Sequence, residues 1–271
     1  FGFLTKPFDG RELLARIAEA VALSPPIAAD TGGETTWRAN FVSVSPVMDE
    51  LLRQSRRAAE SDDPLLISGP RGSGKEALAR VIHGAGPRAR KPFVVMRCGP
   101  QADDAAEDAV FGDALDAARG GTLFLDDVGE LAPSVQTRLL PLAREISLFS
   151  ASTARARPVR IIAASSQALD NAIRAGQFRA DLFYSLNQTA LTVPPLAERR
   201  DDIPPLAAHF AGRWAERTRG AVHGFAPEAL TMLQEASFPG NVRQLRNVVE
   251  QAIGQTVTPL VPASLVRRVL R

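Results

Sequence analysis

One glycine-rich stretch has the composition and spacing needed to bind phosphate groups. Residues 69–76 read Gly-Pro-Arg-Gly-Ser-Gly-Lys-Glu, directly after the apolar run Leu65–Ile67 and at the start of a helical pattern. Glycines let backbone N–H groups surround phosphate oxygens, and the N-terminus of the following helix adds a positive end. Lys75 supplies a point charge for the terminal phosphates. The stretch therefore predicts nucleotide binding, with a chance glycine-rich turn as the alternative.

The residue types within this loop carry further information. Lysine is rare in a chain that otherwise uses arginine, since only Lys6, Lys75 and Lys91 occur among 32 basic residues. Glu76 stands where Ser or Thr usually ligates Mg²⁺. The residues assigned to nucleotide binding in this loop are Gly69, Pro70, Arg71, Gly72, Ser73, Gly74, Lys75 and Glu76.

A pair of carboxylates follows a second apolar run. Residues 122–125, Thr-Leu-Phe-Leu, lead directly into Asp126 and Asp127. Carboxylates at the end of a buried strand, downstream of a phosphate loop, are suited to hold Mg²⁺ and to orient an attacking water. The sequence assigns Asp126 to Mg²⁺ and Asp127 to the water. A strand that ends in a solvated acidic turn is the alternative.

The elements that must position these groups alternate between short apolar runs and helical patterns. Strands are predicted at 65–67, 93–96, 122–125, 159–163 and 191–193. Helices are predicted at about 46–59, 75–85, 135–145 and 168–175. This alternation predicts an α/β fold, a parallel sheet with helices on both faces. After Pro195 the strand signal ends, and helical patterns at about 204–218, 227–236 and 241–253 predict a small all-helical domain.

Composition narrows the class of protein. The 271 residues are 45% apolar and 23% charged, as in soluble globular proteins, and no run of about 18 apolar residues could span a membrane. The single Cys98 excludes a disulfide framework or a multi-cysteine zinc site, and His83, His209 and His223 are too scattered for a metal motif. A net charge of +2 by itself implies no nucleic-acid partner. A cytoplasmic protein without membrane contact is expected.

These motifs resemble, across residues 41–255, the central AAA+ domain of NtrC-type bacterial enhancer-binding transcription regulators. Besides Gly69–Glu76 and Gly120–Glu130, which includes the Asp126–Asp127 pair, the resemblance rests on the stretches at 91–93, 98, 111–112, 159–164, 176–179, 186–187, 194–196, 198–199, 202–204 and 238–245. It implies a P-loop AAA+ α/β nucleotide-binding domain at 41–197 and a helical lid domain at 198–255. Residues 256–271 would be a tail towards a DNA-binding domain outside this chain. Residues 1–23 resemble the C-terminal end of a two-component receiver domain, and 24–40 read as a linker.

The resemblance also implies ligands and partners. Regulators of this family are ring-forming ATPases that act on sigma-54 RNA polymerase, with ATP between neighbouring subunits. This chain would therefore bind ATP or ADP with Mg²⁺, self-associate as a dimer or ring, and act on RNA polymerase. Promoter DNA would be bound by a domain outside this chain, and a sensor kinase would act on the receiver. The resemblance assigns Arg243 to the phosphates from the lid and Arg179 to a neighbour's nucleotide in trans.

The chain departs from the family where the family contacts sigma-54. The Gly-Ala-Phe-Thr-Gly-Ala loop should fall between Phe111-Gly112 and Gly120-Gly121, but only residues 113–119 stand there. The resemblance thus implies a deleted loop, and RNA polymerase is expected as a partner in a form other than the sigma-54 one.

Four positions used for hydrolysis also depart. Asp127 replaces a glutamate, and a carboxylate displaced by about 1 Å can cost roughly 10²-fold in rate. Arg97 replaces the asparagine that restrains that glutamate, Ser166 takes the catalytic sensor position of an asparagine, and Ser185 replaces a second arginine. An arginine finger can be worth about 10³–10⁵ in rate. Because the binding residues are kept while these are changed, weak or absent hydrolysis is expected.

The sequence therefore favours a two-component transcriptional regulator whose AAA+ domain binds ATP or ADP to control oligomerisation, without sigma-54. The alternative is an active AAA+ ATPase that remodels a transcription partner other than sigma-54. A third possibility is a scaffold that has lost nucleotide, against which the intact Gly69–Lys75 loop argues.

Overall fold

The computed structural model describes residues 41–99, 104–149, 158–218, 224–256 and 258–270. All of them belong to one compact unit, Asn40–Arg271. The predicted receiver end at 1–23 and the predicted linker at 24–40 lie outside the described residues.

A five-stranded parallel sheet forms the first part of this unit. Its strands are β1 (Leu65–Ser68), β2 (Phe93–Arg97), β3 (Thr122–Asp126), β4 (Arg160–Ser165) and β5 (Thr189–Thr192). They lie side by side in the order β2-β3-β4-β1-β5. Because parallel strands end at the same edge, Ser68, Asp126 and Ser165 are brought together there. The predicted α/β sheet is confirmed.

Helices cover the sheet because successive strand residues face opposite sides. They are α1 (Pro46–Ala59), α2 (Lys75–Ala85), α3 (Asp104–Ala117), α4 (Pro133–Phe149), α5 (Leu169–Arg174) and α6 (Ala180–Leu186). Leu123 and Leu125 of β3 pack with Val135 and Leu139 of α4 in one buried cluster, whereas Phe124 faces the other side and stacks on Phe93. The strand ends are therefore fixed from both faces.

A second buried cluster holds the helical part together. Its helices are α7 (Ile203–Thr218), α8 (Pro227–Glu235), α9 (Asn241–Gly254) and α10 (Ala263–Val269). Leu206, Leu233, Val249 and Leu265, one from each helix, are all buried in this cluster. Short 3₁₀ turns at Leu196–Glu198 and Arg200–Asp202 connect the sheet to α7. The predicted helical lid domain is confirmed.

Two details of this part differ from the sequence prediction. The predicted tail at 256–271 is not a tail where the structure describes it, because Val261, Leu265 and Val266 are buried in the helical cluster. The part predicted to be all-helical also contains a small parallel pair, β6 (Gly224–Phe225) and β7 (Leu260–Val261). Two residues a strand are too few to produce an alternating pattern that sequence could reveal.

The sequence patterns also missed α3. Residues 104–117 are rich in Ala and Asp with few large apolar residues, so they lack the periodic stripe that indicates a helix. The helix nevertheless runs unbroken to Ala117, and residues 118–121 alone separate it from β3. Among the described helices, none is both long enough and apolar enough to cross a lipid bilayer.

Candidate functional site

The glycine-rich stretch forms the turn that joins β1 to α2. Its backbone has φ angles of 151° at Gly69, 75° at Gly72 and 106° at Gly74. Other residue types rarely adopt such angles, which explains why glycine is needed here. The Gly69 N–H donates to the Ser165 carbonyl at 3.2 Å, which fixes the start of the turn to the end of β4. The turn is thus held open above the carboxyl edge of the sheet.

Lys75 is the first residue of α2 and is only 6% exposed. Its Nζ donates to the carbonyl oxygens of Gly69 at 2.9 Å and Pro70 at 3.3 Å. Burial lowers the pKa of Lys75 below its usual range, and the nearby Asp127 and Asp126 carboxylates oppose that shift. The Lys75 ammonium group therefore donates hydrogen bonds to carbonyl oxygens of the loop. Phosphate oxygens of a nucleotide can take the place of these acceptors.

The lid contacts the same loop directly. A Cβ added at Gly72 would lie 2.3 Å from the Gly240 carbonyl oxygen, so only glycine allows this approach. The Arg243 N–H donates to the Gly72 carbonyl at 3.3 Å. Asn241, which is buried, donates from Nδ2 to the Arg71 carbonyl at 3.0 Å and accepts from the Leu196 N–H at 2.8 Å. The turn is therefore shaped by the lid as well as by the sheet.

A buried ion pair supports the loop further, between two residues that belong to the family-like stretches but were given no role from sequence. Arg199, 3% exposed, donates from Nη2 to the Ser73 carbonyl, and its Nη1 lies 3.6 Å from Asp202 Oδ2. Asp202 also accepts from the N–H groups of Val44 at 2.7 Å and Ser45 at 2.9 Å, at the start of α1. Burial lowers the pKa of Arg199, and Asp202 opposes the shift. The Arg199–Asp202 pair thus connects the glycine-rich loop to the residues that precede α1.

The two predicted acids lie on opposite sides of a sharp turn. Asp126 is the last residue of β3. Its pKa is raised mainly by burial and, to a lesser extent, by the neighbouring Asp127 carboxylate. Asp127 adopts a left-handed backbone with φ of 57°, which turns its side chain towards β4. Its Oδ1 accepts from the Ser166 N–H at 3.0 Å and the Ser166 hydroxyl at 2.6 Å. The structure therefore places Ser166 in contact with Asp127.

Arg71 reaches across from the loop to this acidic turn. Its Nη2 donates to Glu130 Oε1 in a short ion pair, and its Nε lies 3.8 Å from Asp127 Oδ2. The same Nε donates to the Ser166 hydroxyl at 3.3 Å. Sequence reasoning assigned Arg71 to nucleotide binding and gave Glu130 no role. Their pairing depends on a turn between β3 and α4 that no motif encodes.

A cavity of about 350 Å³ lies between the loop, the acidic turn and the lid. Five cationic side chains line it, Arg71, Lys75, Arg97, Arg243 and Arg246, with three acidic ones, Glu76, Asp126 and Asp127. The excess of positive charge suits a polyphosphate. A larger cavity of about 570 Å³ opens on the other side of Gly69 and Pro70, and no cationic side chain lines it.

The donor set of the first cavity fits a magnesium nucleotide. Lys75, Arg71 and Arg243 line this cavity with cationic groups that can bind phosphate oxygens. Mg²⁺ prefers oxygen ligands, which the Asp126 and Asp127 carboxylates of the same lining provide. The glycines that the sequence assigns to nucleotide binding stand on the same loop as Lys75.

Comparison with known protein families shows which family this chain belongs to. A profile described as the sigma-54 interaction domain matches residues 41–192, more than half of the chain. The chain belongs to this family. A second profile, described as an AAA+ ATPase lid domain, matches residues 197–271 and so includes the residues that sequence reasoning assigned to a tail.

Individual relatives of this sigma-54 interaction domain are regulators. The transcriptional regulatory protein GlrR of Escherichia coli strain K12 is 40% identical over 286 residues, covering 100% of this chain and 63% of GlrR. ZraR of the same strain, another transcriptional regulatory protein, is 39% identical over 267 residues, covering 93% of this chain and 60% of ZraR. The chain thus spans less than two thirds of the length of these relatives.

Solved structures show the same fold. NtrX from Brucella abortus in complex with ATP matches with a TM-score of 0.71 and 31% identity, over 100% of this chain and 66% of NtrX. The ADP complex of NtrX matches with the same TM-score and identity over 98% of this chain. The RuvB Holliday junction motor of Thermotoga maritima, at 16% identity and a TM-score of 0.54, shares the fold alone.

Five predicted site residues of the sigma-54 interaction domain are not among those that line the smaller cavity: Gly69, Pro70, Ser73, Ser166 and Arg179. Gly69, Pro70 and Ser166 line the larger cavity instead, and Arg179, at the start of α6, lines neither. Its side chain is 47% exposed and donates from Nε at 3.1 Å and from Nη2 at 3.0 Å to the carboxylate of Asp181. Arg144 also pairs with Asp181, at 3.2 Å. Ser185 donates to the Asp181 carbonyl at 2.8 Å, a contact within its own helix.

Proposed function

We propose that this chain is the nucleotide-binding AAA+ part of a two-component transcriptional regulator, and that it binds ATP or ADP with Mg²⁺ to control self-association. The observation that carries the proposal is the cavity of excess positive charge around Lys75, with the Asp126 and Asp127 carboxylates in its lining. Relatives are transcriptional regulatory proteins, and NtrX has been crystallised with ATP and with ADP. The assignments of Gly69–Glu76, Arg243 and Asp126 belong to this proposal.

Weak or absent hydrolysis is the second part of the proposal. The Asp127 carboxylate is one methylene shorter than glutamate and already accepts from the Ser166 N–H and hydroxyl. An attacking water would have to compete with these donors for the carboxylate. Arg179, assigned to a neighbour's nucleotide in trans, is paired with Asp181 in its own subunit. Ser185 cannot supply the second cation. Each of these features disfavours turnover.

Independence from sigma-54 is the third part. Helix α3 runs continuously over Asp104–Ala117, and residues 118–121 lead directly into β3. This short connection supports the proposal that the family's long loop is deleted at this position. RNA polymerase in a form without sigma-54 is the proposed partner. Promoter DNA and the sensor kinase would act through domains outside the described residues, in a cytoplasmic regulator.

A phosphate-release assay tests the proposal against the active ATPase alternative. The alternative is favoured by the exposure of Arg179, which leaves its guanidinium within reach of a neighbouring subunit. Release would be measured at saturating Mg-ATP over a range of protein concentrations, with Lys75→Ala as the blank and ATP titrated in parallel by calorimetry. Binding with release equal to the blank supports a nucleotide switch. Release that climbs with protein concentration establishes the alternative, and absence of binding overturns both.

The sigma-54 part of the proposal needs a separate test. Transcription driven by the full regulator would be compared in strains with and without sigma-54. Activation that persists in the strain lacking sigma-54 supports the proposal. Strict dependence on sigma-54 would sink it.

A further inference from the structure

The guanidinium of Arg71 contacts the acidic turn and the serine beside it. It pairs with Glu130 through Nη2, faces Asp127 Oδ2 at 3.8 Å and donates to the Ser166 hydroxyl at 3.3 Å. Both oxygens of Asp127 are therefore engaged, Oδ1 by Ser166 and Oδ2 by Arg71. The side chain of Arg71 thus controls access to the carboxylate that would orient water.

The side chain of Arg71 can move while its backbone stays. The Arg71 carbonyl accepts from the buried Asn241 at 3.0 Å, which anchors the main chain. The side chain is 61% exposed and that of Glu130 is 28% exposed. Ion pairs in such positions are weak, because water screens them and two long side chains must be ordered. A phosphate group is a stronger partner, since its oxygens accept bidentate, charge-assisted hydrogen bonds from arginine.

We propose that Arg71 senses the terminal phosphate of ATP within its own subunit. In this inference, which rests on the proposed nucleotide binding, Arg71 leaves Glu130 for the terminal phosphate. Its departure from the acidic turn removes the cation that faces Asp127 Oδ2 and exposes that oxygen. Glu130 acts as the competing partner that holds Arg71 when ADP is bound. Arg71 is thus a positioning residue for Asp127, set by which nucleotide is present.

The inference makes a prediction about the ratio of two affinities. A ligand shifts an equilibrium only by its differential affinity for the two states, so the Arg71–Glu130 pair must weaken ATP more than ADP. Calorimetry would measure Mg²⁺ complexes of ADP and of a non-hydrolysable ATP analogue. Glu130→Gln should raise the ratio of ATP-analogue to ADP affinity by up to about fivefold, the upper end of what an exposed pair contributes. Arg71→Met should lower the ratio.

The double variant Glu130→Gln/Arg71→Met decides whether the two residues act together. If Glu130 acts by competing for Arg71, the double variant should have the ratio of Arg71→Met alone. Glu50→Gln is the matched control, because it removes a carboxylate from another exposed arginine pair, Arg53–Glu50 on α1. It should leave the ratio unchanged.

Other outcomes overturn the inference and separate it from the proposed function. If Glu130→Gln changes the affinities of ADP and the ATP analogue by the same factor, or if the effects of the two substitutions add, Arg71 does not sense the terminal phosphate. Nucleotide binding would then still stand. If neither nucleotide binds the unaltered chain, the proposed function fails and this inference fails with it.

Discussion

Two arginines at the glycine-rich loop, Arg199 that contacts it and Arg71 that belongs to it, have opposite surroundings. Arg199 is buried, holds the Ser73 carbonyl and pairs with a fully buried Asp202. Arg71 is largely exposed and pairs with carboxylates at the edge of the cavity. A buried charge that loses its partner is left without water, whereas an exposed one exchanges partners at little cost. The buried contacts of Arg199 therefore fix the position of the loop, whereas the exposed contacts of Arg71 beside Asp127 can be exchanged for others.

The largest effect should come from the buried pair. Asp202→Ala removes the partner of Arg199 and the acceptor of the Val44 and Ser45 N–H groups. We expect the free energy of unfolding to fall by about 3–5 kcal/mol, as for other broken buried pairs. Chemical denaturation followed by circular dichroism measures it. The adjacent and exposed Asp201→Ala should cost less than about 0.5 kcal/mol, and an equal loss in both variants would break the comparison.

Removal of the buried lysine should separate binding from stability. Lys75→Ala takes away a cation that burial already disfavours, so the unfolding free energy should change by less than about 1 kcal/mol. Affinity for Mg-ATP should fall by about 100-fold, because a charged partner of phosphate is lost. Calorimetry and denaturation on the same sample measure both. The exposed Lys91→Ala is the matched control, and a Lys75→Ala chain that binds normally would contradict the assignment.

A substitution at Asp127, near the exposed Arg71, should leave stability unchanged and raise the rate of phosphate release. Asp127→Glu restores the missing methylene and should raise the rate of phosphate release by about tenfold. A 1 Å displacement of the carboxylate can cost roughly 10²-fold in rate, so this change would recover part of that loss. The stability of the variant should stay within about 0.5 kcal/mol. Asp127→Glu combined with Lys75→Ala gives the blank. An unchanged rate would mean that Ser185 or Arg179 limits turnover, and the length of residue 127 does not.

The smallest expected effect is a pH dependence of the unfolding free energy that arises from the buried His83. His83, near the end of the helix that Lys75 begins, has its pKa lowered by burial, and its Nδ1 lies 2.9 Å from the Thr122 hydroxyl. The unfolded chain then takes up a proton first as pH falls below about 6.5, so this contribution to stability is present above that pH and is lost below it. One proton gives a slope of at most about 1.4 kcal/mol per pH unit. Denaturation at pH 7, 6 and 5 measures it.

A variant checks that assignment. His83→Gln removes the titrating ring and should reduce the pH dependence between 7 and 5, although His209, whose pKa burial also lowers, still contributes to it. The same slope in both proteins would place the titration in another group.

The fold was largely readable from sequence because its signals are local. Strands ending near Ser68, Asp126 and Ser165 were marked by short apolar runs, and the glycines of the loop marked a backbone that only they adopt. The predicted parallel sheet and helical lid followed and are confirmed. Helix α3 and the β6–β7 pair were missed because neither carries a periodic pattern. The segment after 255 was misread as a tail because its burial depends on α8 and α9.

The candidate site was readable only in part. Gly69–Lys75 and Asp126 belong to contiguous motifs, and the structure places Lys75, Asp126 and Arg243 around one cavity. Arg199, Asp202 and Glu130 stand in stretches that resemble the family, but they were given no role because their partners lie far away in sequence. The Ser73 carbonyl that Arg199 holds, for example, precedes it by 126 residues. Local patterns cannot encode such contacts. The roles of Asp127, Ser166 and Arg179 remain predictions.

The contact of Gly72 with Gly240 has a consequence for recombination between relatives. The two family profiles meet near residue 195, which suggests a natural place to exchange one lid for another. A chimera joined there would keep Gly72, Ser73 and Arg71 but take from the incoming lid the residues that contact them, at positions 240, 199 and 241. The shape of the loop therefore depends on the lid. Lids with glycine at 240, arginine at 199 and asparagine at 241 should support nucleotide binding, and lids without these residue types should not.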